Sequence, residues 1–258
     1  MQRFVGKTAV ITGGASGIGR ATAQRLIAEG VASIFLVDRN RSLAEETAAA
    51  LQAPASGSAV YAVAADLSSP DAIARTAAEI AQRTEAVDVL VNGAGFGGGN
   101  WESSWAEWDR MFEIHVKAAA FMFQGLLPLL RRRGSSVINI SSDGATRARP
   151  NSPLYDTAKA GLISLSKSMA ARYVADGIRV NAIAPGFILT DLTRKLWSDP
   201  GMQAWGQANT PLIRLGEPED LVGAAIFLAS EASAWMTGQT LYIDGGFSAG
   251  LIWPIPSS

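Results

Sequence analysis

The sequence contains no cysteine and a single histidine, His115. Without cysteine there are no disulfides and no thiolate chemistry, which fits a reducing compartment. One histidine and no cysteine give no standard transition-metal cluster, so the expected metal complement is none. Charge of one sign is also lacking: 22 Lys and Arg face 23 Asp and Glu, a net charge of −1. No broad basic face for nucleic acid is therefore implied. No apolar run reaches membrane-spanning length, and Met1 to Lys7 lack the apolar core of a signal peptide. The expectation is a cytoplasmic protein with neither membrane nor nucleic acid among its partners.

What is present suits a packed globule. Hydrophobic residues make up 48% of the 258 positions and charged residues 17%, enough for a sizeable core. Short β-rich runs at 8–12, 33–38, 59–66, 88–92, 136–140, 179–184 and 241–244 alternate with helical patterns at 17–29, 43–51, after 69–71, at 105–133, around Tyr155 and at 218–230. The 105–133 segment reads as one long helix with a bend at Pro128. Continuous apolar strands between helices mean a sheet covered on both faces. The expected fold is α/β: a single-domain, Rossmann-type doubly wound sheet of seven mostly parallel strands with helices on both faces. A Gly-rich loop at 93–100 and a long segment at 187–211 follow strand ends, where open α/β sheets bind ligands. The long segment is a candidate lid, and 247–258 an apolar C-terminal tail.

The first strand runs into Thr12-Gly13-Gly14-Ala15-Ser16-Gly17-Ile18-Gly19, where a helix starts. Glycine lets backbone approach a pyrophosphate, and a helix N-terminus favours its negative charge. Asp38 ends the second strand at the spacing of a ribose-binding acid. A carboxylate there accepts from a ribose 2′-hydroxyl and repels a 2′-phosphate, which favours NAD over NADP. Arg39 beside it softens that preference or stands solvated. Asp66 is placed to neighbour the adenine or to cap its strand. Tyr155 and Lys159 are four apart, hence one turn apart on one helix face. A free tyrosine loses its proton near pH 10, and a nearby ammonium lowers that value. The pair suits proton transfer at an alcohol or ketone oxygen, to which Ser142 offers a hydroxyl.

Together these motifs resemble the classical short-chain dehydrogenase/reductases over nearly the whole chain. Thr12-Gly13-x-x-x-Gly17-x-Gly19 matches the family's cofactor turn. Asn92-Gly93-Ala94-Gly95 resembles its Asn-Asn-Ala-Gly motif, and Ser142, Tyr155 and Lys159 match its catalytic trio. Pro185-Gly186 followed by Thr190 matches the segment that holds the nicotinamide carboxamide. The resemblance implies a cofactor site from Gly13, Ser16, Gly17, Ile18, Gly19, Asp38, Arg39, Asp66, Leu67, Asn92, Gly93, Ala94, Tyr155, Lys159, Pro185, Gly186, Ile188 and Thr190. By the same resemblance, Ser142 positions the substrate oxygen and Tyr155 exchanges the proton. Lys159 lowers the Tyr155 pKa and binds the nicotinamide ribose. One departure stands out: Glu113-Ile114-His115-Val116-Lys117 has His115 where the family has an Asn that holds a relay water. An imidazole fits that task or plain helix packing.

The implied reaction is hydride transfer between NAD(H) and a secondary alcohol or ketone. A polar substrate of sugar, sugar-acid or polyol type is expected. The alternatives are an NADPH-dependent carbonyl or 3-oxoacyl carrier-protein reductase and a catalytically silent dinucleotide-binding protein. Arg147, Arg149, Phe187 and Trp197 are the candidate substrate residues, the two arginines fitting either an anionic substrate group or a solvated rim. Family resemblance further implies a homotetramer, and the apolar tail is expected at a subunit interface.

Overall fold

Seven runs rich in Val, Ile and Ala form one sheet: β1 (Thr8–Thr12), β2 (Ser33–Asp38), β3 (Ala59–Ala64), β4 (Val89–Asn92), β5 (Ser136–Ile140), β6 (Arg179–Pro185) and β7 (Thr240–Ile243). The structure, a computed structural model, describes residues 2–52, 57–132 and 134–250. The strand order is β3-β2-β1-β4-β5-β6-β7. Every neighbouring pair is parallel, where the sequence suggested mostly parallel.

Side chains alternate across the sheet with period two. Ala9 and Ile11 of β1, Ile34 and Leu36 of β2, and Val89 and Val91 of β4 enter one core. Their neighbours Val10, Phe35 and Leu90 enter the other. Both faces are therefore buried, which explains runs that are apolar throughout rather than alternating.

The described residues hold nine helices: α1 (Gly17–Ala28), α2 (Arg41–Leu51), α3 (Pro70–Ala81), α4 (Trp105–Phe112), α5 (Ala118–Leu130), α6 (Pro153–Tyr173), α7 (Arg194–Trp197), α8 (Pro200–Asn209) and α9 (Pro218–Ala229). α1 packs on α9, and α3 on α5. Local chemistry fixes several starts. Asn40 caps α2 by accepting from the Leu43 N–H, and Ser69 caps α3 ahead of Pro70. Ser104 and Glu107 form a reciprocal capping box on α4. Proline opens α3, α6 and α9, where its missing N–H costs no hydrogen bond. No helix among the described residues is long and apolar enough to cross a membrane.

Two segments differ from the sequence expectation. The helix expected over 105–133 is interrupted: α4 ends at Phe112, a π turn spans Glu113–Lys117, and α5 runs to Leu130 with Pro128 inside it. Arg133 lies outside the described residues. A π turn takes one more residue than an α turn and re-aims the side chains it carries; here it carries His115, which is buried. The long segment 187–211 is not a plain loop but holds α7 and α8.

Candidate active site

The strand order reverses between β1 and β4, so the helices that follow these strands leave opposite faces and open a crevice at their C-terminal ends. Thr12 ties the two ends together: its hydroxyl accepts from the Gly93 and Ala94 N–H groups at 3.1 and 3.2 Å. The turn into α1 is too tight for side chains. A Cβ on Gly13, whose φ is +66°, would stand 2.8 Å from the Gly93 carbonyl oxygen, and one on Gly19 would stand 2.2 Å from that of Gly13.

A cavity of about 420 Å³ occupies this crevice. Gly13, Ser16, Gly17, Ile18 and Gly19 line one end with Asp38, Arg39, Asp66 and Leu67. Gly93, Ala94, His115, Ser142, Tyr155, Lys159, Pro185, Gly186, Ile188 and Thr190 line the rest. The residues fit a dinucleotide. The Ser16 side chain does not cap α1, and the first turn of α1 holds no acid, which leaves its N–H groups for a phosphate. The Asp38 carboxylate accepts from the Asn40 N–H at 3.0 Å and the Ala15 N–H at 3.4 Å, so it is held in place at the cavity edge.

Asn92 does not line the cavity. Its amide donates to Asn139 at 2.8 Å, and Asn139 donates to Ser166 at 2.8 Å. This buried chain ties β4 and β5 to α6. Ser141 adds a second tie by donating to the Lys159 carbonyl at 2.9 Å. The helix that carries Tyr155 and Lys159 is thereby fixed beside the strand end that carries Ser142.

Burial dominates the electrostatics. It pushes the Tyr155 phenol up to about 12, opposed by the Arg149 guanidinium and a hydrogen bond with Ser142. It brings the Lys159 ammonium down to about 7. Lys159 Nζ donates to the Ile140 carbonyl at 2.7 Å. Two cations stand by the Tyr155 ring, Arg149 at 5.2 Å from its centre and Lys159 at 5.6 Å.

His115 packs edge-on against Tyr155, ring centres 5.3 Å apart. Its Nε2 lies 2.8 Å from the Phe96 carbonyl oxygen and 3.2 Å from the Phe96 N–H. Its Nδ1 is buried with no partner. Burial, followed by the nearby Lys159 charge, holds its pKa down at about 2, against the pull of the Phe96 carbonyl. The ring is therefore neutral at physiological pH. Gly95 must be glycine for this packing, because a Cβ would stand 2.5 Å from the imidazole.

The four candidate substrate residues lie outside the cavity lining. Arg149 is paired with Asp156: its Nε donates to that carboxylate at 3.0 Å and its N–H at 2.8 Å. Arg147 donates to the Phe247 carbonyl and stacks on that ring at 4.2 Å. Phe187 sits at the centre of an aromatic cluster, 5.4 Å from Trp197, 5.4 Å from Trp205 and 4.5 Å from Phe247. The start of the tail thus packs inside its own chain; residues 251–258, on which the interface expectation falls, lie outside the described residues. Phe96 lines the cavity from the Gly-rich loop, and Leu192 and Thr193 from the long segment, both of which the sequence placed at the ligand edge; Arg110 is a lining residue that sequence reasoning missed. Arg110 had a usable signal: it lies one turn before Ile114, which lines the same cavity.

Fold, crevice and the Ser142–Tyr155–Lys159 arrangement define a dinucleotide-dependent oxidoreductase. A family model described as enoyl-(acyl carrier protein) reductase matches residues 13–248. The rhamnolipids biosynthesis 3-oxoacyl-[acyl-carrier-protein] reductase of Pseudomonas aeruginosa is 36% identical over 95% of this chain and 97% of its own. The solved L-sorbose reductase of Gluconobacter frateurii, complexed with NADPH and L-sorbose, has a TM-score of 0.89 at 34% identity, over 97% of this chain and 100% of its own. A gluconate 5-dehydrogenase from Burkholderia cenocepacia, in complex with NADP and tartrate, has a TM-score of 0.90 at 32% identity, over 96% and 98%. The chain belongs to the short-chain dehydrogenase/reductase family and is an NAD(P)-dependent oxidoreductase acting on CH–OH groups.

Proposed function

We propose that this protein oxidises a secondary alcohol of sugar, sugar-acid or polyol type with NAD, as a cytoplasmic homotetramer of single-domain subunits. The observation that carries the cofactor choice is Asp38, whose carboxylate is fixed by two backbone N–H groups at the cavity edge. A fixed negative charge there favours a ribose diol and opposes a 2′-phosphate. The substrate class is supported by the sorbose and gluconate enzymes among the similar structures.

Gly13, Ser16, Gly17, Ile18 and Gly19 would hold the pyrophosphate. Asp38, Arg39, Asp66 and Leu67 would hold the adenosine, and Pro185, Gly186, Ile188 and Thr190 the nicotinamide. The bound dinucleotide supplies the hydride acceptor. Ser142 positions the substrate oxygen. Tyr155 takes the hydroxyl proton in oxidation and returns it in reduction. Lys159 binds the nicotinamide ribose beside it. His115 is neutral and engaged by Phe96, so it holds the Gly95–Phe96 backbone against the site rather than carrying protons.

Arg39 on the same rim favours a second reading, an NADPH-dependent carbonyl or 3-oxoacyl carrier-protein reductase. A catalytically silent binding protein is disfavoured by the intact Ser142, Tyr155 and Lys159. The deciding experiment titrates purified protein with NADH and NADPH, then screens gluconate, polyols, L-sorbose and a 3-oxoacyl thioester. Tighter NADH binding with oxidation of a polyol or sugar acid supports the first reading. NADPH preference with thioester reduction overturns it. In either case Tyr155→Phe should still bind the dinucleotide and lose turnover.

A further inference from the structure

Among the described residues the Arg110 side chain has neither an ion pair nor a hydrogen bond. Its own stretch of chain offers two acids at helical pairing distance, Glu107 three residues before and Glu113 three residues after. Neither takes it. Glu107 is committed to the capping box, its carboxylate accepting from the Ser104 N–H at 2.7 Å and the Ser104 hydroxyl at 2.8 Å. Glu113 opens the π turn. The Arg110 guanidinium lies instead 5.9 Å from the centre of the Phe96 ring, and the residue lines the cavity. Arg147 and Arg149, by contrast, are taken up by Phe247 and Asp156.

Asp66 marks the place of Arg110 along the crevice. Two hydrogen bonds from Ser68 hold the Asp66 carboxylate below its usual range, and the Arg110 and Arg39 charges add to that pull, against burial. Both guanidinium groups therefore stand near the Asp66 end. Val37, Ala65 and Leu67 give this end an apolar lining from the ends of β2 and β3, and Ile114, one turn beyond Arg110, adds to it from the π turn. A flat cation thus stands uncommitted beside an apolar slot.

We propose that Arg110 is an adenine-binding residue: its guanidinium, backed by the Phe96 ring, covers the base from the α4 side. A guanidinium is planar and weakly hydrated, so it stacks on aromatic faces where an ammonium acts as a point charge. A purine offers such a face. The contact does not distinguish NADH from NADPH, so it goes beyond the cofactor choice argued above. It rests on placing the adenosine at the Asp38–Leu67 end.

The test uses Arg110→Ala and Arg110→Lys in the full chain; Arg110 is exposed, so its replacement leaves the core intact. Fluorescence titration gives the NADH and NADPH affinities, and 5′-AMP and reduced nicotinamide mononucleotide serve as competing halves of the cofactor. Arg110→Ala should weaken NADH, NADPH and 5′-AMP alike by about fivefold, the size of one cation–π contact at a partly exposed site. The mononucleotide should bind as it does to wild type. Arg110→Lys keeps the charge and loses the plane, so it should recover less than half of the loss. Full recovery in Arg110→Lys would reduce the role to charge and overturn the proposal. A loss confined to NADPH overturns it too, by placing the guanidinium on a 2′-phosphate. So does equal weakening of the mononucleotide, which marks a loosened crevice. Asp38→Ser separates the proposal from the placement beneath it. If Asp38→Ser weakens 5′-AMP and Arg110→Ala does not, the adenine contact fails alone. If neither weakens it, the adenosine lies elsewhere and both fall.

Discussion

Lys159 Nζ faces the carbonyl of Ile140 at 2.7 Å, while the ring of Tyr155, one turn earlier on α6, lies 5.6 Å from the same nitrogen. The lysine is thus buried against a neutral acceptor, with no carboxylate partner among the described residues, and burial brings its ammonium from 10.5 to about 7. The unfolded chain keeps that proton up to its higher pKa. Between the two values unfolding takes up a proton, and the folded state gains stability as pH rises. Below about 7 both states are protonated and the penalty is constant.

Lys159→Met removes this titration. Relative to wild type, the variant should be at its most stable near pH 7, and its advantage should shrink steadily toward pH 10. Thermal melts at several pH values measure this directly. A difference that stays flat across that range would mean that burial does not shift Lys159. Turnover should be lost at every pH.

His115 makes the same demand in a lower pH range. Its folded pKa of about 2 lies below the unfolded value of 6.5, so the unfolded chain binds the extra proton as pH falls through 6.5. Stability is fully present above that value and declines below it. His115→Asn has no such proton, so wild type should lose ground to it by up to about 1.4 kcal/mol per pH unit. Urea unfolding at pH 7 and pH 5 gives the comparison. A gap that does not widen at pH 5 would show that the imidazole is not held neutral. As the only histidine in the chain, it should also contribute no limb near pH 6.5 to the rate profile.

The parts of this site that were legible in the sequence are those that local chain geometry decides. The spacing from Gly13 to Gly19 after a strand fixes a turn and a helix start, and Asp38 follows from the length of one βαβ step. Tyr155 and Lys159 are neighbours by helix periodicity alone. What stayed hidden depends on partners brought from elsewhere. The π turn at Glu113–Lys117 has no compositional mark; it shows only in how His115 reaches Phe96. Arg149 looked available to a substrate because nothing local announces that the Asp156 side chain turns back onto it. The Phe187 cluster joins the end of β6 to the chain beyond β7, a contact that only the assembled sheet creates.

Asp38 should be separable from Arg39. Asp38→Ser removes the charge that opposes a 2′-phosphate and leaves Arg39 to meet it. Like-charge opposition in a confined site is worth several kcal/mol, so the NADPH-to-NADH affinity ratio should rise by at least about tenfold. Fluorescence titration with both dinucleotides reads this without any substrate. An unaltered ratio would assign cofactor choice to Arg39 and its neighbours instead.

Phe247 tests whether the aromatic cluster governs the substrate side rather than the dinucleotide side. Its ring lies 4.5 Å from Phe187 and under the Arg147 guanidinium at 4.2 Å, and none of the three lines the cavity. Phe187 also meets Trp197 in α7 and Trp205 in α8, so one ring couples the residues after β7 to both helices of the 187–211 segment. Removing the Phe247 ring leaves a void beside Phe187 and should destabilise the fold by about 3 kcal/mol. Leu192 and Thr193, just before α7, do line the cavity, so loosening the cluster reaches the substrate end through the chain itself. Phe247→Ala should therefore raise the KM of the substrate several-fold and leave NADH affinity within a factor of about two, since the Gly13–Gly19 turn and Asp38 are untouched. Phe247→Leu, which refills part of the volume, should recover most of both losses. Equal weakening of NADH and substrate would show instead that the cluster supports the whole crevice.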